Sequence, residues 1–141
     1  MVNKTNDDQS KRVILGSFEE VEFPDFNNYK VTAKIDTGAY SGALHCTKIF
    51  VDKSKRKHVL HFSPFDHPEV EMKSRNFRKR TVTSSNGSTQ ERFIIKTNVT
   101  IQGKTYPINI SLADRSVMKW DVLIGRRFLR KHNFLVDVNK H

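Results

Sequence analysis

Lys34-Ile35-Asp36-Thr37-Gly38-Ala39 is the stretch whose side chains could do chemistry. It follows Val31-Thr32-Ala33-Lys34-Ile35, which alternates apolar and polar with the period of two of a half-buried strand. A strand ending on this triplet presents a carboxylate, Asp36, and a short hydroxyl, Thr37, on a tight turn. Gly38 lets backbone approach closely, and Ala39 keeps the turn small beside a ligand. The chemistry open to such a carboxylate is activation of water, but peptide hydrolysis by this route needs two. Carboxylates about 3 Å apart cannot both ionise, so one acts as base towards the water while the protonated one polarises the carbonyl. They titrate as a coupled pair. The chain supplies the triplet once, since Asp114, Asp121 and Asp137 lack a Thr-Gly or Ser-Gly follower. The second carboxylate must then come from a second copy across a two-fold axis, and catalysis requires a homodimer. In that dimer the Thr37 hydroxyls can brace the paired loops.

The elements that must position this turn are strands. Residues 13–15 and 21–23 precede it, Ala43-Leu44-His45-Cys46 leads out of it, and residues 58–62 are a further candidate. Pro64 to Pro68 is punctuated as a loop. Residues 81–83 and 93–95 flank Ser84-Ser85-Asn86-Gly87-Ser88-Thr89-Gln90, a hairpin signal with Asn-Gly supplying positive φ. A second hairpin turns at Gln102-Gly103-Lys104. Val122-Leu123-Ile124-Gly125 then runs into a short helix-competent stretch, 126–131, and residues 134–138 close as a strand. Many short strands without βα alternation predict one all-β barrel over residues 13–141, after a disordered lead-in at 1–12.

Composition narrows the function. Twenty-five Lys and Arg against 15 Asp and Glu leave a net charge of +10, which calls for an acidic partner: nucleic acid, anionic lipid or acidic polypeptide. The cations fall in three groups, Lys53 to Lys57, Lys73 to Arg80, and Arg126 to Lys131. No apolar run approaches a membrane span, and the N-terminus has no apolar signal core, so a soluble cytoplasmic protein is expected. Export with the leader already removed is the alternative. Cys46 stands alone, which excludes an intramolecular disulfide and a Cys-based zinc cage.

The segment Leu123-Ile124-Gly125-Arg126, placed after the hairpins, resembles the apolar-apolar-Gly-Arg segment that starts the only helix of retropepsin-like proteases. The resemblance extends to one bacterial family, which carries the name ATP-dependent zinc protease. That family is associated with the enzyme that adds glutamates to ribosomal protein S6. The matching blocks are 34–39 with Ala43-Leu44-His45, Ser84-Ser85 with Gly87, Glu91 and Arg92, Asp114-Arg115-Ser116 with Met118, Leu123 to Arg126, and Phe134 to Asp137. They run in order from about Ile14 to Val138. The family pattern has Arg, Ser and Pro where Tyr40, Gly42 and Asp121 stand, and the first two flank the catalytic turn.

The resemblance implies a closed acid-protease β-barrel with one short C-terminal helix, acting as a homodimeric aspartic-type endopeptidase. Asp36, Thr37 and Gly38 would be catalytic, and the 81–95 hairpin would be a flap. Substrate would meet Ala39, Tyr40, Ser85, Asn86, Gly87 and Arg80. If Arg78 to Arg80 lead into the flap, the groove is cationic and selects acidic or glutamate-rich peptides. Ribosome association is a further expectation, and a non-catalytic module binding the ribosome, RNA or an acidic partner is the alternative. The residues do not support the family's name. The chain has no His-Glu-x-x-His, His45 sits on an apolar strand as a core histidine does, and His58, His61 and His67 lie in a charged, loop-rich region. Gly103-Lys104-Thr105 lacks the earlier glycine of a phosphate loop and sits in a hairpin. No metal and no cofactor are expected.

Overall fold

The computed structural model describes residues 12–83, 86–114 and 119–140; residues 1–11, Ser84, Ser85, residues 115–118 and His141 lie outside these. Among the described residues, eleven strands and one α-helix follow each other as β1 (Ile14–Leu15), β2 (Phe18–Phe23), β3 (Tyr29–Asp36), β4 (Gly42–Asp52), β5 (Val59–Pro64), β6 (Met72–Ser74), β7 (Phe77–Thr83), β8 (Thr89–Ile101), β9 (Lys104–Ala113), β10 (Val122–Gly125), α1 (Arg126–Lys131) and β11 (Leu135–Val136). A single 3-10 turn, Pro24–Phe26, joins β2 to β3.

Six strands close into a barrel in the order β10, β3, β2, β8, β9, β4, and the ring is completed because β10 pairs with both β3 and β4. The β10–β3 ladder is parallel, setting Gly125 opposite Asp36, and β10 meets β4 antiparallel at Val122–Leu44 and Leu123–Ala43. Closure leaves this ring without a free edge. The period-two pattern points alternate side chains inward. Ala33 and Ile35 of β3, Ile108, Ile110 and Leu112 of β9, and Val122 and Ile124 of β10 are buried together in one core. Phe23, Phe26, Phe62 and Phe65 extend it as a run of ring contacts. The sole cysteine, Cys46, is in this core, and burial pushes its thiol strongly up, so it stays protonated.

Residues 50–74 extend the sheet beyond the barrel wall. Lys48 takes φ +50°, the β4–β5 register shifts between Thr47 and Phe50, and the remainder of β4 pairs only with β5, which in turn carries β6. The bulge bends β4 out of the barrel wall. The stretch after Pro64 is more than the loop its prolines predict: Phe65, at φ +59°, donates its N–H to His45 O (2.8 Å) and is fully buried. Both hairpins form. Gln102 and Gly103 have φ +50° and +80°, the two positive values a type I′ turn requires. The Gly103-Lys104-Thr105 segment is therefore a hairpin turn and no phosphate loop.

One polar clasp ties the 3-10 turn to the barrel. Asp25 Oδ2 accepts hydrogen bonds from Thr97 Oγ1 (2.7 Å), Asn98 N (3.2 Å) and Asn98 Nδ2 (3.3 Å). Thr97 is buried, so Asp25→Ala strands its hydroxyl away from water. The expected cost is about 1–3 kcal/mol. It should be read as a lower urea midpoint at unchanged m-value; an unshifted midpoint refutes it.

Candidate active site

Asp36 ends β3 where the chain must leave the ladder, because its parallel partner on β10, Gly125, is the last residue of that strand. The turn folds back on its own carboxylate. Gly38 N–H donates to Asp36 Oδ1 (3.0 Å) and Ala39 N–H to Asp36 O (3.2 Å). The start of α1 clamps the far side: Arg126 N–H donates to Ala39 O (2.8 Å) and Arg127 N–H to Tyr40 O (3.1 Å). Arg126 Nη1 also reaches Gly38 O (3.1 Å) and Thr37 O (3.3 Å), and its guanidinium lies over the Tyr40 ring, 5.5 Å from the centroid. The Gly-Arg pair thus has two jobs: glycine for contact and arginine to hold two carbonyls. Asp36 is half-buried, Thr37 and Gly38 are exposed, and Tyr40 is 51% exposed.

A pocket of about 350 Å³ opens beside the turn, beginning at Ala39 and Ser41. Arg78 and Arg80 from β7, Arg92 and Lys96 from β8, and Arg127 and Lys131 from α1 line it, and no acidic side chain does. Two cation groups that are far apart in sequence are brought together here. Lys79, between Arg78 and Arg80, turns to the other face and pairs with Glu91 (3.3 Å).

The model of the RimB-like family, described as retropepsin-like aspartic endopeptidase RimB, matches residues 14–141. The chain belongs to the RimB-like family. Its barrel resembles the crystal structure of a Legionella pneumophila protein of unknown function (DUF785), with a TM-score of 0.62 and 25% identity over 90% of this chain and 94% of that one. Two relatives are named "Probable alpha-L-glutamate ligase". The one from Shewanella pealeana is 25% identical over 89% of this chain and 28% of its own length. The one from Desulfotalea psychrophila is 27% identical over 80% of this chain and 25% of its own. The chain thus spans only about a quarter of these relatives.

The residues expected at the site of this RimB-like chain separate into three places. Asp36, Thr37, Gly38 and Tyr40 lie on the clamped turn, outside the pocket, whereas Ala39 and Arg80 line it. Asn86 and Gly87 sit at the tip of the β7–β8 hairpin, with Gly87 at φ +86°, and do not line the pocket; Ser85 lies outside the described residues. Sequence reasoning did not single out Ser111 or Lys96 as site residues. They stand on adjacent strands of the same wall, visible only once β8 and β9 are in register.

The metal that the family's other name implies has one set of donors to consider. Among the described residues, only His45, Asp66 and Asp121 bring ligand atoms within 4.8 Å of one another. His45 is fully buried, and its Nε2 lies 2.7 Å from Asp66 Oδ1, a completed hydrogen bond. Asp121 O accepts the backbone N–H of His45 (2.8 Å). Asp121 precedes β10 and Asp36 faces its last residue, so the cluster is at the opposite end of that strand, roughly 13 Å away at ~3.3 Å per residue. It fits a structural clasp and does not fit a zinc centre acting at the Asp36 turn.

Among the described residues, no helix is long and apolar enough to cross a membrane.

Proposed function

We propose that the chain is a homodimeric aspartic peptidase that hydrolyses peptide bonds in acidic or glutamate-rich peptides. The observation that carries this is the Asp36 turn: a carboxylate held by Gly38 N–H at the end of a parallel β3–β10 pair, its backbone clamped by Arg126, its edge half open to solvent. Such a turn is held by hydrogen bonds of its own fold, with no ligand needed, which suits positioning a water between two carboxylates. Asp36 and Asp36 of the partner subunit share one proton and activate the water, while the Thr37 pair braces the loops and the β7–β8 hairpin excludes solvent. The pocket next to the turn supplies cations and no anions, which favours acidic side chains on the substrate.

Exposed apolar side chains lie near both ends of the described chain. Ile14, Leu135 and Val138 are exposed apolar side chains on and beside the small β1–β11 sheet. Ser17 ties β3 to the C-terminal segment, because its carbonyl accepts Ile35 N–H (2.9 Å) and its N–H donates to Lys140 O (2.8 Å).

The test follows from the stoichiometry. Turnover of a glutamate-rich reporter peptide should rise with the square of subunit concentration when dilute, then become linear once sedimentation finds dimers. Constant turnover per subunit down to a fully monomeric sample would overturn the shared dyad. Binding of the peptide without turnover at any concentration would instead leave a non-catalytic module with a basic face. One observation favours that reading, namely that Asp36 stands outside the cationic pocket.

A further inference from the structure

The wall of the cationic pocket contains polar atoms that the fold itself does not satisfy. Ser111 lies on β9 between Ile94 of β8 and Ala43 of β4, and Ala43 in turn faces Leu123 of β10; all four line the pocket. Inward positions of β9 carry Ile108, Ile110 and Leu112, so Ser111 is on the outer face, yet it is only 8% exposed, in a pocket that Phe128 and Lys131 of α1 also line. Its hydroxyl finds no hydrogen-bond partner. Neither does Arg92 Nε, buried on the adjacent strand, although Arg92 Nη2 reaches Gln90 Oε1 at 3.4 Å.

Charge points the same way. Arg80 and Arg92 are directly opposite in the β7–β8 ladder, and like charges so placed repel. The other face of the hairpin neutralises its cation through Lys79–Glu91, whereas this face gathers Arg78, Arg80, Arg92 and Lys96 without a carboxylate. A buried hydroxyl without an acceptor, a buried guanidinium N–H without an acceptor and an uncompensated arginine pair are three separate costs in the free protein. One ligand chemistry relieves all three: an anion that only accepts hydrogen bonds.

We propose that Ser111 and Arg92 form the floor of a carboxylate subsite, flanked by Arg80 and Arg127, that takes an acidic side chain of a peptide lying along the Asp36 turn. Ser111 Oγ and Arg92 Nε–H each donate to the carboxylate, and the neighbouring guanidinia supply its counter-charge. The subsite rests on the peptidase reading only for the statement that the peptide is a substrate. It lies within one subunit and needs no dimer.

The experiment is anisotropy of an end-capped, fluorescein-labelled pentaglutamate peptide added to the full chain carrying Asp36→Asn, so that nothing turns over. Ser111→Ala should weaken binding about 10-fold and Arg92→Gln about 10- to 100-fold, without recovery by Arg92→Lys, whose ammonium has no planar fork. Ser111→Ala should also leave the thermal midpoint unchanged or higher, since it removes a hydroxyl that lacks a partner; a lost binding signal caused by unfolding would show as a lower midpoint. The proposal is overturned if Ser111→Ala binds like its parent. It is equally overturned if pentaglutamine binds as tightly as pentaglutamate, or if a thymidine oligonucleotide binds more tightly with the same dependence on Ser111. Ser111-dependent binding in a protein that never cleaves the peptide keeps the subsite and removes the peptidase. Cleavage indifferent to Ser111 removes the subsite alone.

Discussion

Asp36→Asn should abolish hydrolysis of acidic peptides, by about 10³-fold or more, while the chain folds and associates as before. The reason lies in what the carboxylate does structurally, which is little. Its Oδ1 accepts one hydrogen bond, from Gly38 N–H at 3.0 Å, and an asparagine carbonyl can accept the same bond from the same place. The clamp on the turn comes from Arg126 and Arg127 acting on the carbonyls of Thr37, Gly38, Ala39 and Tyr40, and none of these contacts involves the Asp36 side chain. What the amide cannot do is hold or release the shared proton. In the proposed dimer an asparagine on each side still offers one donor and one acceptor in place of the proton-sharing pair, so association should be unchanged. Turnover of a glutamate-rich peptide, sedimentation and the thermal midpoint together decide it. Residual turnover near the parent's would sink the carboxylate mechanism, whatever the oligomeric state.

The parts of this molecule that reading the chain can reach are those written in contiguous residues. The Val31 to Ile35 alternation is β3, the Asn86-Gly87 and Gln102-Gly103 signals are the two hairpins, and Leu123 to Arg126 is the strand end and helix start beside Asp36. Each depends on neighbours in sequence, through side-chain period or a turn's demand for positive φ. The pocket depends on register instead. Arg78, Arg92, Ser111 and Arg127 meet because β7 pairs with β8, β8 with β9, and α1 folds back over that wall. Ser111 reads locally as an ordinary outward residue of a strand, yet it is buried in the wall of the pocket that several elements enclose. Phe65 is hidden for a similar reason. Prolines 64 and 68 announce a loop, while the burial of its ring comes from packing against Phe23 and Tyr29. His45 is the intermediate case: its apolar strand predicts a core histidine, but its partner Asp66 lies 21 residues away in that same loop.

Gly125→Ala should be the most disruptive small substitution in the chain, although Gly125 has an ordinary extended backbone (φ −91°, ψ 173°) that alanine adopts freely. The constraint is space. A Cβ there would stand 2.7 Å from Tyr40 O, 2.8 Å from Ser41 C and 2.8 Å from Tyr40 C, and all three are backbone atoms that no rotamer change can move. Gly42 is locked from the other side, its Cβ position being 2.7 Å from Leu123 O. Relief must come from shifting the 37–41 turn away from β10. That stretches the Arg126 N–H to Ala39 O and Arg127 N–H to Tyr40 O bonds that clamp the turn. Overpacking of this kind costs about 1–3 kcal/mol, and weakening two backbone hydrogen bonds adds about 1 kcal/mol each. The expected loss is about 3–5 kcal/mol, a fall in thermal midpoint on the order of 10 °C. Because Gly125 is the register partner of Asp36, the carboxylate moves as well, and a displacement near 1 Å is worth about 10²-fold in rate. Gly87→Ala provides the contrast. Its Cβ meets nothing within 4 Å, so only the strain of φ +86° is added, about 1 kcal/mol. If Gly125→Ala melts no lower than Gly87→Ala, close contact between the turn and the end of β10 is not what holds Asp36 in place.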